Sequence, residues 1–221
     1  SMRSNGIIGG LFDGPYCSAQ NNQPSIDNVF LEPEECSSYM TVNQIKKDSQ
    51  GNMWVVNPNC ENNIVSNANI NRPLAIKFAG QDNWMHIKDP SNSYYIPQEV
   101  AFSNNNLAWV SYKYHEDYSD GGIRLLKYND LYNQDDDYWY SISISDDDAN
   151  EIQNVWSIDV GSDSQGNEIL WVLSDKGVQG YVIDIIYQIN NDLIPNLVPY
   201  NNSFYFSNSL SLIEGCKIRV D

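Results

Sequence analysis

Short apolar runs divided by polar turns set the rhythm of this chain. Residues 42–47 alternate as a half-buried strand, Asp48-Ser49-Gln50-Gly51-Asn52 reads as a tight turn, and Met53-Trp54-Val55-Val56 reads as a buried strand folding back on the first. Residues 74–78, a turn at 80–83 and residues 84–87 complete a set of four strands. The order recurs at 98–102, 107–112, 122–128 and 138–142, with Ser103-Asn104-Asn105-Asn106 as the turn of the first hairpin. A third pass runs through 155–160, 169–173, 177–183 and 203–206, and Cys216-Lys217-Ile218-Arg219-Val220-Asp221 reads as the opening strand of a fourth.

The tryptophans keep this frame. Trp54 and Trp109 are 55 residues apart (109 − 54), as are Trp84 and Trp139 (139 − 84). The five-residue turn returns as Asp163-Ser164-Gln165-Gly166-Asn167, ahead of Ile169-Leu170-Trp171-Val172-Leu173. A repeat of about fifty residues with four short strands predicts an all-β protein, a β-propeller or a segment of one, each repeat forming a four-stranded antiparallel blade. The repeats fall at roughly 40–96, 97–150 and 151–208 in a single domain, with partial blades expected at 5–39 and 209–221. Blades packed face to face need inner strands that are apolar on both faces, and 53–56, 107–110 and 169–173 have that composition. The expected architecture is three complete blades plus partial terminal ones, taken from a longer protein or closed by pairing its two ends. Open blade edges would favour self-association.

The pattern Asp-x-x-Gly-Asn-x-Trp-Val at 48–55 resembles the two-component-regulator type of propeller repeat, which occurs in periplasmic sensor regions of bacterial hybrid histidine kinases and in related secreted propellers. The Gly-led strands at 122–128 and 177–183 are similar to the strand that follows in that family. The middle repeat departs at its turn, and the third has two extra residues before its Trp. The resemblance spans about residues 40–221 and implies a non-enzymatic ligand-binding or sensor propeller, periplasmic or extracellular, recognising a glycan or a protein.

Composition narrows the partners. The chain has 221 residues, 12 basic and 29 acidic, for a net charge of −17. So acidic a chain is unsuited to a phosphate backbone, which is bound by Lys and Arg displacing counterions, and nucleic acid is not expected as a partner. No run approaches the ~18 apolar residues of a membrane helix, so no membrane insertion is expected. Cys17, Cys36, Cys60 and Cys216 lack Cys-x-x-Cys spacing, which argues against a metal site and fits one or two disulfides in an exported protein or free buried thiols. Asp135-Asp136-Asp137 and Asp146-Asp147-Asp148 lack the spacing of a calcium-binding loop. No cofactor and no metal are expected.

Candidate chemistry is sparse. His86 falls in a strand, and His115 lies in the loop His115-Glu116-Asp117, where a metal or an oriented base lacks a third partner. No nucleophile elbow, phosphate loop or dinucleotide motif is present, so no catalytic residue is assigned. Asp48, Gly51, Asp163 and Gly166 read as turn-holding residues, similar to the structural Asp-boxes of sialidases, with Trp54, Trp109 and Trp171 as packing residues. The richer material is Tyr112, Tyr114, His115 and Tyr118, an aromatic and polar loop able to stack on a sugar or anchor a peptide. Tyr138-Trp139-Tyr140 lies in a strand nearby in the same repeat. Two alternatives stand beside the binding module: a propeller enzyme acting on polysaccharide as a lyase or glycosidase, and a purely structural or assembly segment.

Overall fold

The computed structural model describes residues 42–56, 71–81, 84–91, 97–114, 116, 120–145, 149–187, 193–200, 204–205 and 217–220. The fold is all-β, with three antiparallel sheets in chain order, each built on a run of four consecutive strands. The first holds β1 (Gln44–Lys47), β2 (Met53–Val56), β3 (Asn71–Lys77) and β4 (Trp84–Asp89). The second holds β5 (Pro97–Ser103), β6 (Leu107–Tyr112), β7 (Gly122–Lys127) and β8 (Tyr138–Ile142). The third holds β9 (Val155–Ser162), β10 (Glu168–Ser174), β11 (Gly177–Tyr187) and β12 (Leu193–Pro199). Each sheet is an up-and-down meander, the topology that short turns between consecutive strands allow.

The fourth strand of the third sheet differs from expectation. Residues 203–206 were the expected strand, yet Leu193–Pro199 takes that place, opposite Tyr181–Tyr187 of β11. Phe204–Tyr205 forms β13, which pairs with Gly177 and Val178 at the other end of β11. The apolar run does not stop at Ile183 but continues through Ile185 and Ile186, so an eleven-residue β11 offers its edge to two strands in succession. Cys17, Cys36, Cys60 and Cys216, the partial blade expected at 5–39 and the 146–148 acidic run lie outside the described residues.

Two cores form, one on each face of the second sheet. Trp54, Val56, Leu74, Ile76 and Ile87 of the first sheet pack on Val100, Ala108, Val110, Tyr112 and Leu126. Ala101, Leu107, Trp109, Ile123 and Leu125 point the other way, onto Val155, Ile158, Leu170, Val172 and Tyr181. Successive strand residues face opposite sides, so a sheet covered twice must be apolar at every position. All six residues of β6 are buried for that reason.

The repeated turn is built identically in its two copies. Asp48 Oδ1 accepts from the backbone N–H of Gln50 and Asn52, at 2.9 Å each, and Oδ2 accepts from Asn52 Nδ2 at 2.8 Å. Asp163 does the same with Gln165 and Asn167 at 2.8 and 2.9 Å, and Gly51 and Gly166 take φ of 86° and 87°, which a side chain would resist. In the middle repeat Asn105 and Asn106 adopt positive φ instead, a conformation asparagine tolerates. Its Ser103 Oγ accepts from Trp109 Nε1 at 2.9 Å, as Asp48 Oδ2 accepts from Trp54 Nε1 at 2.9 Å. The middle turn has changed letters and kept its tether.

The first strands of the three sheets lie side by side and are clipped together. Gln44 Oε1 accepts from the N–H of Val100 at 2.7 Å, and Glu99 Oε2 accepts from the N–H of Ile158 at 3.2 Å. An edge strand exposes unpaired N–H groups, and here a side chain from the preceding sheet takes one of them in each case. Ion pairs reinforce the seam: Lys46 Nζ reaches Asp159 Oδ1 at 2.5 Å, and Glu99 holds Lys217 and Arg219 at 2.5 and 3.0 Å.

Candidate functional site

Tyr114 stands where β6 gives way to its following loop, 40% exposed. It lines a cleft of about 260 Å³ together with Asp120, Ser141, Ser143, Glu151 and Gln153. Gly121 and Gly122, at φ of 69° and 84°, carry the chain under the cleft. Gly122 N–H donates to the Gln153 carbonyl at 2.6 Å, and a Cβ on Gly121 would stand 2.2 Å from that same oxygen. The close approach holds residues 151–153 against the start of β7. The cleft therefore presents one aromatic ring among hydroxyls, an amide and two carboxylates, the functional groups that meet a polyhydroxylated ligand.

The other loop candidates separate. Tyr112 is a core residue with no exposed surface, because the even-numbered face of β6 is covered by the first sheet. Its hydroxyl donates to Asp89 Oδ2 at 3.3 Å, so it is not available as a surface contact. His115 and Tyr118 lie outside the described residues, as does the side chain of His86. Among the described residues no group of three or more His, Cys, Asp or Glu side chains could hold a metal ion. No described helix is long and apolar enough to cross a membrane.

Asp89 belongs to a buried network that composition alone did not disclose. Arg124 grips it twice, Nε to Oδ2 at 2.8 Å and Nη2 to Oδ1 at 2.9 Å, and the N–H of Ser91 adds a bond of 2.9 Å. Arg124 Nη1 donates to Ser141 Oγ at 2.9 Å, and its guanidinium lies 5.5 Å from the ring centre of Trp139. Burial raises the Asp89 pKa, with Arg124 acting in the opposite direction. Every oxygen of this carboxylate is engaged, which suits it to join the first and second sheets rather than to exchange protons.

A second cleft, of about 490 Å³, lies between Lys88, Pro90, Gln134, Asp135, Asp137 and Trp139. Trp139 Nε1 donates to the Lys88 carbonyl at 2.9 Å, fixing its ring on the wall. Asp137 has both carboxylate oxygens buried without a hydrogen-bond partner. Burial, then the charges of Asp136 and Asp130, push its pKa up to about 7. This folded value exceeds the ordinary carboxylate value of about 3.9, so the stabilising protonated state is fully present only below about pH 4 and is lost as pH rises through about 7. Asp137→Asn should remove that loss, gaining on the order of 1–2 kcal/mol over the parent chain at pH 8, since solvent screens a half-buried carboxylate, and less at pH 4.5. Urea denaturation of both proteins at the two pH values gives the comparison, and equal differences at both would show that Asp137 ionises normally.

Glu99 and Asp159 run the other way. Burial works against the Glu99 charge, but hydrogen bonds from Arg219, Lys217 and Ser157 outweigh it and lower the pKa. Burial likewise opposes the charge of Asp159, and its bonds from Lys46 and the Val220 N–H prevail. Both contributions are lost as pH falls through the lowered values.

No family model, curated protein or solved structure matches the chain.

Proposed function

We propose that the three sheets are consecutive blades of a two-component-regulator-like β-propeller, acting outside the cytoplasm as a non-enzymatic module that binds a glycan or a protein. The side-by-side first strands with their repeated clip support the blade reading, since face-to-face blades bring their innermost strands together. The observation that carries the binding reading is the Tyr114 cleft. It sets an exposed ring among Asp120, Ser141, Ser143, Glu151 and Gln153 on a rigid sheet edge, which favours a hydroxyl-rich ligand such as a glycan.

Hydrolysis of polysaccharide is the weaker reading. Asp137 is raised to about 7, a value suited to a general acid, but both its carboxylate oxygens are buried in the wall of the second cleft. Screening on a glycan array, followed by titration of the best hit, tests the proposal. Tyr114→Ala should weaken that hit about tenfold or more, equivalent to ~1.4 kcal/mol, with an unchanged melting temperature. Unchanged affinity in this variant, or depolymerisation of the bound glycan, would count against it.

A further inference from the structure

A third cleft, of about 200 Å³, opens at the other end of β7 from the Tyr114 cleft. Gly121 and Gly122 lead into β7 and border the Tyr114 cleft, whereas Tyr128, Asp130 and Tyr132 follow β7 and border this one. The strand between them spans roughly 16 Å at ~3.3 Å per residue. One wall is a stacked pair: the rings of Phe78, just after β3, and Tyr132 lie 4.0 Å apart and within 18° of parallel. Phe78 is buried and Tyr132 is 58% exposed, and Gln81 Nε2 donates to the Tyr132 hydroxyl at 2.5 Å, which fixes the outer ring.

Tyr128 lines the same cleft. It is only 6% exposed, packed on Trp54 in the first core, and its hydroxyl has no hydrogen-bond partner among the described residues. Burial, then the charges of Asp48 and Asp137, push its pKa up to about 12, so the hydroxyl keeps its proton. A hydroxyl so placed without an acceptor is costly, and this one calls for an oxygen brought into the cleft. The surrounding carboxylates decide which oxygen. With Asp48, Asp130 and Asp137 nearby, an anionic acceptor is repelled and a neutral hydroxyl or ether oxygen is not. Further groups stand ready beside it. Asp130 Oδ1 accepts from the Tyr132 N–H at 3.0 Å and leaves Oδ2 open, and the side-chain amides of Gln50 and Asn129 make no hydrogen bond among the described residues.

We propose that this cleft binds one neutral sugar residue, its ring against the Phe78–Tyr132 pair, one oxygen accepting from Tyr128, and its hydroxyls donating to Asp130 and to the Gln50 and Asn129 amide oxygens. A sugar offers both halves of this match, an apolar C–H face for an aromatic wall and hydroxyls that donate and accept. The volume sets the size. At about 200 Å³ the cleft is below the ~300 Å³ at which pockets for larger ligands begin, which suits a single ring. The site goes beyond the Tyr114 reading and uses none of its residues.

The test titrates the full 221-residue chain with the methyl glycosides of glucose, galactose and mannose, up to about 100 mM, and reads backbone amide shifts by NMR. At least one glycoside should move the signals of Gln50 and of Asp130 to Tyr132 in a saturable way. The matching methyl uronide, which adds a carboxylate, should bind about fivefold more weakly or worse. Tyr128→Phe should weaken the neutral glycoside about fivefold or more without lowering the melting temperature, since it removes an unpartnered hydroxyl. Tyr114→Ala should leave these shifts as they are. No saturable shift at these residues with any of the three glycosides overturns the proposal, as does equal binding of the uronide or unchanged affinity in Tyr128→Phe. Shifts confined to Gly121 and Gln153 also overturn it while leaving the Tyr114 cleft as a binding site, so the two readings fail separately.

Discussion

Trp54→Ala is expected to cost about 3–5 kcal/mol of folding stability, near the top of the range for single substitutions. The ring has no exposed surface and packs against Phe102 and Tyr128, with ring centres 5.0 and 5.7 Å away. Its removal opens a cavity between the first and second sheets and releases the bond from Nε1 to Asp48. Trp171→Ala should cost about half as much, because Trp171 is only half-buried, edge-on to Tyr200 at 5.9 Å. Asp48→Ala should cost about 1–2 kcal/mol through the turn bonds and the acceptor lost to Trp54 Nε1, with no effect on ligand affinity at the Tyr114 cleft. Urea denaturation of the three variants ranks them. If Trp54→Ala falls within 0.5 kcal/mol of Asp48→Ala, by an order-of-magnitude standard, the packing account is wrong.

Asp89→Ala should destabilise by a similar ~3–5 kcal/mol, for a different reason. The Arg124 and Asp89 side chains are 7% and 0% exposed, so removing the carboxylate leaves a guanidinium charge in the core. The raised Asp89 pKa shows that burial costs more than the pairing returns. The pair should therefore be costly to break and cheap to replace. The double variant Asp89→Ala with Arg124→Met should recover at least half of the loss, and a double-mutant cycle measures the coupling. Strictly additive effects would show that the two groups do not act together.

Much of the fold was legible because strand periodicity is local. The β2 and β8 bounds could be read directly from Met53–Val56 and Tyr138–Ile142. Aromatic and β-branched runs between turn residues leave the backbone few alternatives. Tyr112 was misleading for the opposite reason. It ends an apolar strand beside a polar loop, and only the first sheet packing over it decides that it is core. Asp89 and Arg124 were equally silent: they are 35 residues apart, and nothing local marks one as the other's counter-ion. Among the described residues of the aromatic loop, Tyr114 is placed on a cleft, and the partners that make it a cleft, Glu151 and Gln153, come from the following repeat.

The sequence by itself determined the strands, the two Asp-x-x-Gly-Asn turns and the tryptophan frame, because each depends on the propensities and hydrogen bonds of residues within a hairpin. Only the tertiary structure decided which faces are covered, which charges meet along the first strands, and that residues 217–220 lie against β9. Those outcomes depend on contacts across 50 or more residues, such as Gln44 with Val100 and Ser157 with Ile218, which no local pattern encodes.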